Sequence, residues 1–142
     1  GGRLVAVEEA TDLVIDLFDL GISNRVERLP PQDFYIPGSI LGLELEEHTF
    51  NAGLGPDVPA WFWRSSRVFD VSDPTVEVLA RFSRRPVLSG WVLGADQVAG
   101  QPALVQASVG RGSVVLFGFQ PNYRAQSVST WPLLFRALAP GE

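Results

Sequence analysis

The predicted fold is decided by one stretch, Ala103 to Arg124, which reads ALVQASVGRGSVVLFGFQPNYR. Apolar residues alternate with other residues up to Val109, which is the period-two pattern of a strand. Gly110-Arg111-Gly112 is a turn signal, because glycine reaches positive φ at little cost. The run Val114 to Phe117 is apolar on both faces. It is therefore predicted to be a central strand, covered on both sides.

Polar residues follow this central strand. Gly118 allows another backbone to come close. Gln120, Asn122, Arg124 and Gln126 come next, and open α/β sheets usually place their sites at such strand ends. A polar cluster is predicted here, with two roles open. It binds a ligand, or Arg124 only ties the loop down through carbonyl and carboxylate oxygens.

Composition excludes several classes of protein. The 142 residues are 46% hydrophobic, carry a formal charge of −5, and include one histidine and no cysteine. These values exclude overall disorder, argue against nucleic-acid binding, and rule out thiolate chemistry and disulfides. No apolar run is long enough to span a membrane. His48 beside Glu46-Glu47 lacks a partner at ligand spacing, so no metal site is expected.

The rest of the chain is predicted as one domain, residues 1–142, with a strand–helix unit, a β-rich middle and a terminal helix. The first helix carries Ala10, Leu13, Val14 and Leu17 at i, i+3, i+4 and i+7, and the last carries Trp131, Leu134, Phe135 and Leu138, so each is predicted to have one apolar face. Arg84-Arg85-Pro86 is expected to end a strand, and Pro140-Gly141 to end the last helix. The predicted strands cover 3–7, 39–45, 60–64, 67–71 and 75–83, and the predicted helices cover 8–20 and 129–139.

Three consecutive aromatic residues, Trp61, Phe62 and Trp63, lie in one predicted strand. Successive strand residues point to opposite faces, so Trp61 and Trp63 share one face and Phe62 takes the other. The two tryptophans either form an exposed surface for a sugar or a partner protein, or belong partly to the core.

The first residues, Gly1 to Ala10 (GGRLVAVEEA), resemble the strand–elbow–helix of class I glutamine amidotransferase-like domains. By that resemblance, Glu8 stands where the family has its cysteine nucleophile. Gln120-Pro121-Asn122 stands where the family has His-Pro-Glu. Because glutamine hydrolysis needs an activated thiolate, the resemblance implies a degenerate domain without catalysis.

A closer resemblance is to the C-terminal amidotransferase-like domain of bacterial M14 zinc carboxypeptidases. The segments that carry it keep their order, although Val128 stands where a histidine is expected. They are Phe34 to Ser39, Leu88 to Trp91, Gly110 to Phe119 and Tyr123 to Ser127.

The resemblance implies an α/β, flavodoxin-like sheet with flanking helices, N-terminally incomplete, and a β-hairpin near the C-terminus. It implies a non-catalytic accessory domain, with no cofactor of its own and with zinc in a separate catalytic domain. Expected partners are that catalytic domain and a second copy of the chain, since missing strands would leave an unpaired edge. The expected location is extracytoplasmic, either periplasmic or secreted.

Two other functions compete with this one. A carbohydrate-binding module would use exposed tryptophans, namely Trp61, Trp63 and Trp91. A hydrolase with paired carboxylates would need two acids facing each other across a cleft. Glu46 and Glu47 are a poor pair, because neighbouring strand residues point to opposite faces. The other candidate pair is Glu8 with a distant aspartate.

Overall fold

A computed structural model describes residues 1–139 of the chain. A six-stranded sheet and a two-stranded sheet are joined by two α-helices and four short 3₁₀ turns. The strands are β1 Arg3–Val7, β2 Ile22–Asn24, β3 Ser39–Leu45, β4 Asp57–Phe62, β5 Phe69–Val71, β6 Glu77–Gly90, β7 Pro102–Val109 and β8 Gly112–Phe117. The helices are α1 Ala10–Phe18 and α2 Trp131–Leu138.

The six-stranded sheet corrects the predicted fold class. Its strand order is β1-β8-β7-β6-β3-β4, and only β1 and β8 run parallel. The sheet curls into a half-barrel, and helix makes up only 21% of the residues. A flavodoxin-like α/β sheet is therefore wrong. Helical crossovers between parallel strands define that fold, and here antiparallel strands fill residues 39–117.

The predicted hairpin is present as β7 and β8, paired from Leu104–Phe117 to Val109–Gly112. Strand β8 lies between β1 and β7, and its apolar residues are buried on both faces. Val115 and Phe117 belong to one core cluster, and Val114 and Leu116 to another. The run of four apolar residues thus fills both layers, as its pattern predicted.

The two helices lie on opposite faces of the sheet beside β1. Helix α1 contributes Val14 and Ile15 to one core cluster, and α2 contributes Leu133 and Ala137 to the other. The predicted apolar faces of the helices are largely wrong, because Leu13 and Leu17 of α1 and Phe135 and Leu138 of α2 are exposed. Helix α1 begins two residues later than predicted. It ends at Asp19, whose φ of 49° is left-handed, rather than at Gly21. Pro132 stands in the first turn of α2, as predicted. Pro140 and Gly141 lie outside the described residues.

Strand β6 is longer than the sequence predicts. Arg84-Arg85-Pro86 was expected to end it, yet it runs for 14 residues. In its pairing with β3, Leu41 faces Val87 and Leu43 faces Phe82. The residues between bulge out of the ladder, so the missing N–H of proline costs no ladder hydrogen bond.

Within the described residues, no helix combines the length and the apolar character that crossing a membrane requires.

Candidate functional site

The turn between β1 and α1 places Glu8 at the carboxyl end of β1. Glu8 has a φ of 52°, which is uncommon outside glycine. Its backbone N–H donates to the Phe117 carbonyl at 2.8 Å, and its own carbonyl accepts the Thr11 hydroxyl at 2.6 Å. These bonds fix the turn, and the end of β1 meets the end of β8. Glu8 and the start of the loop after β8 therefore lie side by side.

The carboxylate of Glu8 is already engaged. It accepts a hydrogen bond from the Ser66 hydroxyl at 2.7 Å, and that hydroxyl oxygen in turn accepts the Trp63 N–H at 2.9 Å. Ser66 is buried. No local pattern in the sequence points to Ser66, because its partner Glu8 lies 58 positions away along the chain.

Arg67 joins three segments next to Glu8. Its guanidinium donates two hydrogen bonds to the Asp12 carboxylate, at 3.1 and 2.7 Å. Its backbone N–H donates to the Gly118 carbonyl at 2.5 Å. The hydrogen bond to Asp12 raises the pKa of Arg67 most, burial opposes that rise, and the nearby charges of Asp12, Glu9 and Glu8 add to it. Arg67 therefore holds α1, the loop after β4 and the end of β8 together.

The predicted polar residues lie along the loop after β8. The Gln120 N–H donates to the Trp61 carbonyl at 3.3 Å, while Asn122, Arg124 and Gln126 are exposed. In the described part of the chain, their side chains make no hydrogen bonds to one another. Arg124 lies over the Tyr123 ring, 5.2 Å from its centroid. A binding role for these residues stays a prediction.

Trp61 and Trp63 share one side, as predicted, and Phe62 is buried on the other. They do not form an open shelf. They stack on each other with centroids 5.9 Å apart, and Tyr123 stacks on both, at 4.9 Å from Trp61 and 5.8 Å from Trp63. All three residues are half-buried. Nothing in the sequence indicates that Tyr123, 60 residues further along, completes this stack.

The other candidate groups are separate from this region. Glu46 pairs with Arg81 at 2.6 Å, and the His48 ring nitrogen lies 3.4 Å from Glu77. Among residues 1–139, no three His, Cys, Asp or Glu side chains are placed to hold a metal ion. Trp91 is 56% exposed beside Tyr35, and the two rings are tilted by 58°.

A second feature is the free edge of β1, the last strand of the sheet. Large apolar side chains are exposed around it, on β1 and on both flanking helices. We call this region the β1 docking surface. It comprises the outer edge of β1 together with Leu4, Leu13, Leu17, Trp131, Phe135 and Leu138.

Comparisons with known proteins give a likeness in fold. No family model matches the chain, and no curated protein matches it. A similar solved structure is a β-galactosidase from Bacillus circulans sp. alkalophilus, with a TM-score of 0.58 and 19% sequence identity. The match covers 96% of this chain but only 18% of that enzyme. At this identity the likeness concerns the fold alone.

Proposed function

We propose that this chain is a non-catalytic accessory domain of a larger hydrolase, whose assembly it mediates through the β1 docking surface. The observation that carries the proposal is the apolar surface around a free strand edge, since monomeric proteins rarely expose large contiguous apolar patches. The fold likeness supports it, because the similar segment is 18% of a larger enzyme.

The turn at Glu8 supports the proposal that this domain has no catalytic activity of its own. A carboxylate stands at the left-handed position, and the Ser66 hydroxyl engages it at 2.7 Å. With no cysteine in the sequence, a thiolate nucleophile is not available from this chain. We assign Glu8 a structural role, which is to join the turn to the loop after β4.

The parent enzyme is proposed to be an M14 zinc carboxypeptidase, on the strength of the sequence segments that resemble its C-terminal domain. Zinc would then belong to the catalytic domain and not to residues of this chain. The proposed location is extracytoplasmic, as for the enzymes that the segments resemble.

The test uses the native polypeptide that carries this chain. We expect it to bind zinc and to release C-terminal residues from peptides. Glu8→Gln should keep that activity, because glutamine still offers an oxygen to Ser66. Loss of activity in Glu8→Gln, in a variant that keeps its melting temperature, would refute the non-catalytic role. A parent without zinc and without carboxypeptidase activity would refute the parentage.

Carbohydrate binding is the second candidate, and Trp91 is the residue that favours it, since its ring is 56% exposed. The similar solved structure is named a β-galactosidase, so galactose-containing oligosaccharides are the first ligands to test. Affinity electrophoresis of the wild type and Trp91→Ala, in gels that contain these saccharides, would test whether the chain binds sugar. Retardation that Trp91→Ala removes supports sugar binding, and equal mobility in all gels rules it out.

A further inference from the structure

The outer edge of β1 offers a regular set of backbone hydrogen-bonding groups. The Gly2 carbonyl accepts from Ser113, and the Glu8 N–H donates to Phe117. In a parallel ladder, every second residue directs both its groups to the same neighbour. Even-numbered residues of β1 therefore face β8, while the N–H and C=O groups of Arg3, Val5 and Val7 face outwards.

The opposite edge of the sheet is protected, which makes the free β1 edge significant. Strand β4 carries Pro59, which has no N–H, and its carbonyl accepts a hydrogen bond from the Ser127 hydroxyl. The Trp61 carbonyl accepts from Gln120. Natural sheets usually block their edges with such devices. Strand β1 carries one charged residue, Arg3, but it has no proline, and among the described residues no other segment bonds to its outward N–H and C=O groups.

Helix α1 directs Leu17 towards the β1 edge. It buries Thr11, Val14 and Ile15, whereas Leu13 is 71% exposed and Leu17 is 67% exposed. At about 100° per residue, Asp12 and Leu17 fall on opposite flanks of the buried face. Because Asp12 pairs with Arg67, just before β5, its flank faces the two-stranded sheet. Leu17 therefore lies on the flank above the free edge of β1.

Helix α2 does the same on the other face of the sheet. The Arg136 guanidinium donates to the carbonyls of Phe50 and Ala52, at 2.6 and 2.7 Å, so that flank faces the loop after β3. Trp131 and Leu138 fall on the opposite flank. They are exposed, and Phe135 beside them is 61% exposed.

The β1 docking surface suits a second copy of the same chain in three respects. First, the outward positions 3, 5 and 7 are symmetric about Val5, so an antiparallel copy places Val5 opposite Val5 and Arg3 opposite Val7. Second, Arg3 lies opposite Val7 in this pairing and not opposite the second Arg3, so like charges do not meet within the strand pair. Third, they expose on the order of 600 Å², to which strand backbone adds, against about 800 Å² per partner in stable interfaces.

We propose that two copies of this chain pair through β1, antiparallel about a two-fold axis at Val5. The two six-stranded sheets then join into one, with α1 packed against α1 and α2 against α2 of the second copy. Such an interface uses the same surface on both partners. The inference rests on the proposed function, because it names the occupant of the proposed docking surface.

The register can be tested with cysteines, since the natural chain has none. In Val5→Cys, the paired Cα atoms would lie about 5.5 Å apart, within disulfide range. Val7→Cys is the matched control, because both valines are half-buried and pack on the same core cluster. The two Val7 positions would be separated by roughly 13 Å along the strands. Oxidation should link Val5→Cys and leave Val7→Cys unlinked. Equal linking of both variants overturns the register.

Sedimentation velocity tests the dimer itself. We expect the wild type to be dimeric at high concentration, and Leu17→Glu to raise the dimer dissociation constant about tenfold or more. Leu88→Glu is the control, because Leu88 is 58% exposed on β6, away from this surface. Circular dichroism confirms that each variant is folded. A wild type that stays monomeric refutes the proposal, and so does a Leu88→Glu variant that dissociates as much as Leu17→Glu.

A monomeric result leaves the proposed function separately testable. Amide exchange is then measured at Val5 and Val7 in the native polypeptide. Slow exchange there means that another segment occupies the edge, which refutes the second copy and keeps the accessory role. Fast exchange at both positions refutes the accessory role as well.

Discussion

Replacing Gly118 by alanine should destabilise the protein by about 3 kcal/mol. Gly118 is buried at the point where β8 ends, between the backbones of Arg67 and Ala103. A Cβ at this position would overlap the Arg67 carbonyl oxygen and lie 3.1 Å from the Ala103 carbonyl oxygen. Backbone atoms cannot move aside as a flexible side chain does, so one of the segments must shift.

The magnitude follows from two terms. Overpacking a closed site typically costs about 1–3 kcal/mol. Moving the Arg67 backbone also breaks its N–H bond to the Gly118 carbonyl, 2.5 Å long, and such a bond contributes about 1 kcal/mol. For a chain of this size, a loss of about 3 kcal/mol lowers the melting temperature by roughly 9 °C.

Urea unfolding followed by tryptophan fluorescence measures this loss. With a slope of about 2 kcal/mol per molar urea, the midpoint should fall by about 1.5 M. Gly55→Ala is the matched control, because Gly55 is exposed and a Cβ there meets nothing within 4 Å. The free energy of unfolding of Gly55→Ala should differ from that of the wild type by no more than about 0.5 kcal/mol. If Gly118→Ala is as stable as Gly55→Ala, the argument from close backbone approach is wrong.

Three further predictions concern the polar contacts of the fold. Asp12→Asn should cost about 1 kcal/mol in urea unfolding, because it weakens a charge-assisted pair whose Arg67 side chain is 16% exposed; an unchanged midpoint would contradict this. Ser66→Ala should cost about 2 kcal/mol, since it leaves two groups without their shared hydroxyl; Ser65→Ala is the control. Hydrogen bonds from the Thr75 N–H and hydroxyl lower the pKa of Asp73. The folded state thus gains stability above the unfolded pKa of about 3.9. It loses that gain as the pH falls through the folded pKa. Asp73→Asn should flatten this part of the profile of melting temperature against pH, and an unaltered profile would refute the assignment.

Much of the local structure could be predicted from the sequence. The β7–β8 hairpin follows from a period of two around Gly-Arg-Gly, and the helices follow from their periodicity and from Pro132. Glu8 lies beside the end of β8 because β1 and β8 pair in parallel. The predicted fold class was wrong. The strand pairings of residues 39–90 depend on long-range contacts, which cannot be read from the pattern of neighbouring residues.

The candidate site was predictable only in part. Trp61 and Trp63 were correctly assigned to one side of their strand, but their partner Tyr123 comes from a distant loop. Ser66 and Arg67 carry no sequence signal, although they hold the site together.

The sequence by itself determined which residues alternate, turn and form helices, because those preferences depend on neighbours a few positions apart. Only the tertiary structure decided which apolar stripe of each helix is buried. Helix α1 turns Val14 and Ile15 inwards and leaves Leu13 and Leu17 outside. The apolar face predicted from the periodicity, which included Leu13 and Leu17, was therefore wrong. The choice is made by the Asp12–Arg67 pair and by the position of the helix on the sheet, and both are long-range contacts.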